Sequence, residues 1–406
     1  MPQLIKRFSI SLQSLALFRG LVALTVVLAA FLERVGSNAD ISLIAARQIS
    51  LYLDILISVW VVVLGLLLLI GYRTRLIAIL CLGTCGLAAL WSVGQFGLIA
   101  GMLLPILFWS CFLPLGAAYA LDSAMNTARV SLPTAVISSA TVALMVQQGF
   151  NYWLPETLFW SALAGSAASE IAGSRSVIWI LGLLSPLFVL ASLYLNLYRS
   201  VLVAVFVCIH LAAVLAFGQP TLLHLLAIAL WTLYLPQSLW DTWAKRIDRP
   251  ARRGLSIYYD ADCGFCKKVV HVLRTILILP KTPLATAQSD PSIYVDMETY
   301  NSWVVVDWQQ NRHFKFEAIA YICSLSPVFR FLAPVLRWKP VMVGGTRFYE
   351  AIANNRKRAG LLTKPLKFHT SSVRLSRLEN RIVCLCAVVY FTTRLPQLIA
   401  VLKTIP

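Results

Sequence analysis

Ser256-Ile-Tyr-Tyr-Asp-Ala-Asp-Cys263-Gly-Phe-Cys266, followed by Lys-Lys-Val-Val-His-Val-Leu-Arg274, is the stretch on which the reading of this chain turns. Leu255 to Tyr259 is an apolar run of strand length. Asp260 to Asp262 is turn chemistry. A helix follows from about Cys263 to Leu279, with Pro280 as its stop signal. The sequence therefore predicts a Cys-x-x-Cys pair at a helix N-terminus, where free N–H groups and the helix dipole favour a thiolate. Lys267 and Lys268 add positive charge to that turn while Asp260 and Asp262 oppose it, so the sign of the net effect on the thiols is open.

Downstream, strands are predicted at 284–288, 302–307 and 312–316, then helices at about 317–325, 328–337 and 346–357. A strand–helix–strand opening with Cys-x-x-Cys at the first helix tip, then a hairpin and helices, is a thioredoxin-like pattern. In it, exposed Cys263 is the expected nucleophile and Cys266, one turn in, the resolving thiol. Asp260, Asp262 and Lys267 are the supporting residues of the thiol site. Two other readings stand beside this one. The pair could be half of a metal site, but structural zinc takes four ligands, no second Cys-x-x-Cys exists, and His271, His313, His369 and Cys323 are scattered singles. It could also be an inert remnant. The basic run Arg356-Lys-Arg358 reads as a solvated or lipid-facing patch. No paired carboxylates, Ser–His motif or phosphate-binding glycine loop is evident, Val343-Gly-Gly-Thr346 being too little for the last.

With 59% hydrophobic and 13% charged residues, the chain is too apolar for one soluble domain, and its long apolar runs mark a multi-pass membrane protein. The net charge of +18 is uneven: no lysine lies between Lys6 and Lys245, and basic residues concentrate after about residue 245. A basic soluble part beside a membrane fits a cytoplasmic face meeting anionic lipid. Nucleic acid is not an expected partner, since no basic–aromatic platform or nucleic-acid motif is present. Of the other cysteines, Cys81, Cys85, Cys111 and Cys208 sit in apolar spans as small hydrophobes, and no secreted-type disulfide framework appears.

Spans are predicted at about 15–31, 49–70, 76–93, 98–115, 132–150, 177–197, 201–217 and 222–235, with a longer loop at 151–175 carrying Trp153, Glu156 and Trp160. The first lacks a cleavage pattern and reads as an uncleaved anchor. With the N-terminus inside, inside loops hold Arg73 and Arg75, Arg129, Arg199, and the cluster from Lys245 to Arg253, whereas outside loops hold only Arg34, Arg47 and Arg175. The expectation is a polytopic α-helical membrane domain of about eight spans (1–243), a basic linker (244–253), an α/β thioredoxin-like cytoplasmic domain (254–368) and a C-terminal apolar segment (369–406). The run Ile382–Leu402, broken by Arg394 and Pro396, is either a ninth span or a membrane-associated helix. Such a chain belongs in a plasma (inner) membrane. Arg19, Asp54 and His210 lie in or near apolar spans, where an ionisable group is expensive and faces the bundle interior. They are either structural partners or the lining of a ligand site, in which His210 could exchange a proton.

Asp260-Ala-Asp-Cys263-Gly-Phe-Cys266, Ala285-Thr-Ala-Gln-Ser289, Ser302-Trp-Val-Val-Val-Asp307 and Phe348-Tyr-Glu-Ala-Ile-Ala-Asn-Asn-Arg356 resemble the DCC family of thiol–disulfide oxidoreductases, named for its Asp-x-x-Cys-x-x-Cys signature. Ala261 stands where that family usually has glycine. Leu15-Ala-Leu-Phe-Arg19, Leu69-Ile-Gly-Tyr-Arg-Thr-Arg75, Leu107-Phe-Trp-Ser-Cys-Phe-Leu-Pro-Leu-Gly116 with Asp122, His210, and Leu235-Pro-Gln-Ser-Leu-Trp-Asp241 resemble the HTTM domain shared with vitamin K-dependent γ-glutamyl carboxylase. That carboxylase uses a lysine base on a hydroquinone, and this chain has no lysine between Lys6 and Lys245. What the resemblance implies is therefore a pocket for a quinone or another lipophilic ligand.

Together these readings predict a membrane-bound thiol–disulfide oxidoreductase acting on a thiol or disulfide substrate, with a quinone as the implied cofactor and the lipid bilayer as partner. Two alternatives are a non-catalytic scaffold or binding protein with a metal-binding or inert thiol pair, and a carboxylase-like enzyme with a base other than lysine, such as His210.

Overall fold

The computed structural model describes residues 9–36, 44–91, 95–128, 135–151, 199–217, 221–371 and 375–403. The chain forms two compact units, one of Met1–Ala118, Val130–Leu239 and Ser372–Pro406, the other of Tyr119–Arg129 and Trp240–Ser371. In chain order the elements are β1 (Ile10–Ser11), α1 (Leu12–Gly36), α2 (Ile44–Ile70), α3 (Thr74–Trp91), α4 (Gln95–Ser110), α5 (Leu121–Met125), β2 (Ala135–Val136), α6 (Ser139–Asn151), α7 (Arg199–Phe217), α8 (Thr221–Thr232) and α9 (Gln237–Ile247). Then follow α10 (Pro250–Arg253), β3 (Ser256–Tyr259), α11 (Gly264–Ile276), β4 (Leu284–Thr286), α12 (Pro291–Tyr300), β5 (Val304–Val306), β6 (Arg312–Phe314), α13 (Lys315–Leu325), α14 (Ala333–Arg337), α15 (Lys339–Ala353), α16 (Arg356–Leu362) and α17 (Arg377–Lys403).

The helical unit is built on apolar helices. On α1, Leu15, Phe18, Val22, Val26 and Ala29 are buried at three- and four-residue intervals, which is one helix face against its neighbours α2 and α8. Ile10 pairs with Val136 across the small β1–β2 ladder. Among the described residues, Leu12–Phe31 alone is long and apolar enough to cross a membrane, or one of two if Leu222–Thr232 and Gln237–Ile247, broken near Pro236, count as one span. Ile55–Ile70, Thr74–Leu90, Ile99–Ser110 and Arg199–Ala212 are apolar but shorter. Among the described residues, apolar helices thus stand at six of the eight predicted spans, only one or two of them of spanning length, and an eight-span domain is not shown. The predicted span 177–197 and the loop 151–175 lie outside the described residues. The terminal apolar run is one unbroken helix, α17, with Pro396 inside it.

In the thiol unit the sheet order is β4-β3-β5-β6. β3 and β4 run parallel, with α11 as their crossover, while β5 is antiparallel to both β3 and β6. Alternation within the strands sorts two cores. Ile257, Tyr259 and Val305 join Val270 of α11 and Ala318 and Ile322 of α13 on one face. Val304 and Val306 join Ile293 and Met297 of α12 on the other. A sheet covered on both faces explains why β5 is Val-Val-Val rather than alternating.

Local chemistry accounts for several boundaries. α11 ends in residues without strong helix signals, and Ile278 takes a left-handed φ of 56° just before Pro280. The helix is three residues shorter at its C-terminus than the sequence predicts. The predicted strand 284–288 stops at Thr286, because Ala287–Ser289 winds into a 3₁₀ turn. α12 is an element that the sequence reading omits. Asp290 caps it by accepting from the N–H groups of Ser292 and Ile293, and Pro291 occupies its first turn. The predicted helix at 346–357 is two helices, α15 and α16, with α15 beginning at Lys339.

Candidate functional site

Cys263 is the N-cap of α11, and its Sγ accepts the Cys266 N–H at 3.2 Å. A sulfur in this position meets one of the donors that a helix start leaves unpaired, so the fold itself stabilises negative charge there. The two cysteines are joined as a disulfide, with Cα atoms 5.2 Å apart. Both are partly exposed, which leaves the pair reachable from solvent.

The turn before the helix is held by side chains from two other elements, the 3₁₀ turn Ala287–Ser289 and α16. Asp260 Oδ1 accepts from the Asp262 N–H at 3.0 Å and from Gln288 Nε2 at 2.9 Å. The same Gln288 uses its Oε1 to accept the Ala261 N–H at 3.1 Å. Arg356 at the start of α16 places Nη1 3.5 Å from Asp260 Oδ2, and its Nη2 donates to Asn301 Oδ1 at 2.6 Å. Asp260 is thus the centre of a clamp that fixes residues 260–262, and its charge is partly balanced by Arg356. Ala261 is not among the residues with positive φ, so alanine in the family's usual glycine position costs no backbone strain.

The remaining predicted supporting residues divide. Asp262 contributes its backbone N–H to the turn. Lys267 lies with Nζ 5.2 Å from the centre of the Phe368 ring, so its charge is engaged by an aromatic face as well as standing in the first turn of the helix. Lys268 donates to the Thr363 carbonyl at 2.8 Å and ties α11 to the end of α16. Gln288 and Arg356 are site residues without an assigned role in the sequence reading. Arg356 departs from the reading of Arg356-Lys-Arg358 as a solvated run, because it turns inward to Asp260 while Lys357 and Arg358 are exposed.

The segment Tyr119–Arg129 belongs to this unit. α5 packs on α11, and the Ala124 backbone hydrogen-bonds His271. The Thr127 N–H donates to the His369 carbonyl at 2.8 Å and the His369 N–H to that of Met125 at 3.0 Å. Burial, with Arg274 and Lys267 nearby, pushes the His271 imidazole down to about 4, so it is neutral at pH 7. At the opposite end of β5, burial would raise the Asp307 carboxyl, but hydrogen bonds from Asn311, Gln309 and His313 outweigh it and hold the group low. Among the described residues no group of three or more His, Cys, Asp or Glu side chains is arranged to hold a metal ion.

The predicted membrane ligand set is distributed over separate partners. Arg19 is 3% exposed and donates to the carbonyls of Leu115 at 2.7 Å and Ala118 at 3.2 Å. His210 on α7 lies with Nδ1 3.0 Å from Nδ1 of His224 on α8, both rings buried. Asp54 falls in α2, and its side chain lies outside the described residues.

Residues 257–361 match the family model described as DCC1-like thiol-disulfide oxidoreductase. No curated protein and no solved structure matches the chain. The match spans the sheet, the Cys263–Cys266 turn, Gln288 and Arg356, and it makes this part of the chain a DCC1-like thiol–disulfide oxidoreductase domain.

Proposed function

We propose that the chain is a membrane-bound thiol–disulfide oxidoreductase whose Cys263–Cys266 pair cycles between dithiol and disulfide in a thioredoxin-like domain. The observation that carries this is the capping of α11 by Cys263, with the Cys266 N–H aimed at its sulfur. In the reducing direction the Cys263 thiolate attacks a substrate disulfide, forms a mixed disulfide and expels one substrate thiolate. The Cys266 thiolate then attacks Cys263 Sγ, closes the intramolecular disulfide and expels the second substrate thiolate. Two electrons pass from the pair to the substrate, and a small-molecule or protein dithiol must return them. A cytoplasmic setting favours this reducing direction, because thiols are kept reduced there.

The membrane part of the proposal is an HTTM-like domain of about eight spans with the N-terminus and thiol domain on the cytoplasmic side. Its support is the arginine and lysine distribution together with the apolar side chains that α2, α3 and α7 leave exposed, among them Trp60, Leu66, Leu80, Leu87, Val205 and Leu215. That Tyr119–Arg129, read as an inside loop, shares a unit with Trp240–Ser371 is what a common side requires. A quinone is the ligand the HTTM resemblance implies. Of the residues that resemblance points to, Arg19 bonds to backbone carbonyls and His210 to His224.

The test is turnover of a fluorescent disulfide peptide by the reconstituted full chain with a dithiol reductant. Cys263→Ser should fall to background. Cys266→Ser should stall as a mixed disulfide, visible as a covalent adduct that a reductant releases. Undiminished turnover in both variants would overturn the proposal.

A further inference from the structure

The thiol unit carries a second unusual surface, on α14, α15 and the 3₁₀ turn Arg330–Leu332 before them. On α15 the exposed side chains include Lys339, Val343 and Arg347, each four residues from the last along one face, and Phe348 next to Arg347. The other side of the helix is committed to the domain. Tyr349 packs against the core, and Gly345 stands so close to the Phe316 ring that a Cβ would lie 2.5 Å from it. Phe331 (66% exposed), Trp338 (64%) and Phe348 (68%) hold large rings in solvent. From Ala318 to Tyr349 the sequence has no aspartate or glutamate and has four cations, Arg330, Arg337, Lys339 and Arg347. All four are exposed, and none forms an ion pair among the described residues.

Exposed aromatic rings interleaved with unpaired cations suit one kind of neighbour. Rings of this size settle at headgroup level, and cations beside them meet phosphate. A protein partner would need a strongly acidic and apolar face of matching shape, whereas a bilayer supplies both properties without one. We propose that the face formed by Phe331, Trp338, Arg337, Lys339, Arg347 and Phe348 lies on an anionic lipid surface, its rings among the headgroups and its cations against lipid phosphates. The proposal rests on the membrane-bound reading above and adds which side of the thiol domain meets the lipid.

The test is amide hydrogen exchange of residues 328–350 in the full chain held in nanodiscs of phosphatidylcholine alone or with phosphatidylglycerol. Exchange at least threefold slower in the anionic discs, restored by high salt and by the combined Arg337→Glu and Lys339→Glu substitutions, is the expected result. Equal exchange in the two discs overturns the proposal. So does equal protection in detergent without lipid, which would mean that protein covers this face. Disulfide turnover and resistance to alkaline carbonate extraction, measured on the same preparations, report separately on the thiol chemistry and on membrane insertion. If carbonate releases the chain, the spanning reading fails, and flotation of the released chain with anionic vesicles still decides the surface contact.

Discussion

The two units treat their polar groups in opposite ways. In the thiol unit Asp260 sits in a partly exposed turn, and its partners include a backbone N–H two residues on, a glutamine 28 residues on and an arginine from α16. In the helical unit Arg19 is sealed inside, and the carbonyls it serves are 96 and 99 residues away. The contrast concerns what water can replace. Solvent can take over part of the Asp260 network, whereas nothing replaces the Arg19 guanidinium once it is removed. A turn also announces its chemistry through its neighbours in sequence, while a buried cation's partner is decided by how distant helices pack.

The strongest break of this contrast is Arg19→Leu against Asp260→Asn. Leaving the Leu115 and Ala118 carbonyls buried without their donor should cost about 2–4 kcal/mol, and Asp260→Asn less than about 1 kcal/mol. Thermal unfolding of the two variants in the same detergent measures both, and equal losses would dissolve the distinction. Next is a pair of adjacent glycines in α15. Gly345→Ala places a Cβ against the Phe316 ring and should destabilise by about 1–3 kcal/mol, whereas Gly344, with open space around it, should gain up to about 1 kcal/mol as alanine. If both substitutions stabilise, the close packing of α13 on α15 is wrong.

A pH test follows in size. His271 titrates near 4 when folded and near its ordinary 6.5 when unfolded. The unfolded chain therefore takes up the proton first as pH falls. The contribution is complete above about pH 6.5 and is lost progressively toward pH 4. With partial exposure discounted, the loss should be about 1–2 kcal/mol. Hydrogen-exchange stability of α11 at pH 7 and pH 5 should differ in the wild type and much less in His271→Phe. The smallest effect expected is electrostatic. Arg356→Gln removes the cation facing Asp260 and should make the Cys263 thiol of the reduced protein harder to ionise, with Asp260→Asn acting the other way. Alkylation rate against pH in the reduced protein reads the shift, and a change of the same sign in both variants would refute the clamp as a charge balance.

Legibility follows the same division. The four strands along the chain and the placing of Cys263 at the start of α11 are readable, because strand runs, turn residues and Cys-x-x-Cys spacing are local signals. α12 was missed although Asp290-Pro291 is a helix-start signature, because Pro-Ser-Ile-Tyr-Val-Asp-Met-Glu-Thr-Tyr has only a weak apolar period. Gln288 and Arg356 lay within quoted motif stretches, but their convergence on Asp260 depends on β4 ending early and on α16 starting a new helix. In the helical unit, apolar composition located the helices. It could not pair His210 with His224 or Arg19 with backbone carbonyls, since neither pairing leaves a periodic trace in the sequence.

The membership of Tyr119–Arg129 in the thiol unit also sets an order of events during synthesis. This strap leaves the ribosome well before the rest of its unit, which resumes only at Trp240. At about 5–20 residues per second, the intervening stretch of the chain takes roughly 6–20 s to make. Throughout that interval α5 exists without the α11 face it will cover. The thiol domain is therefore an early strand of chain waiting for a late one, and its completion reports that everything encoded between the two has already been made.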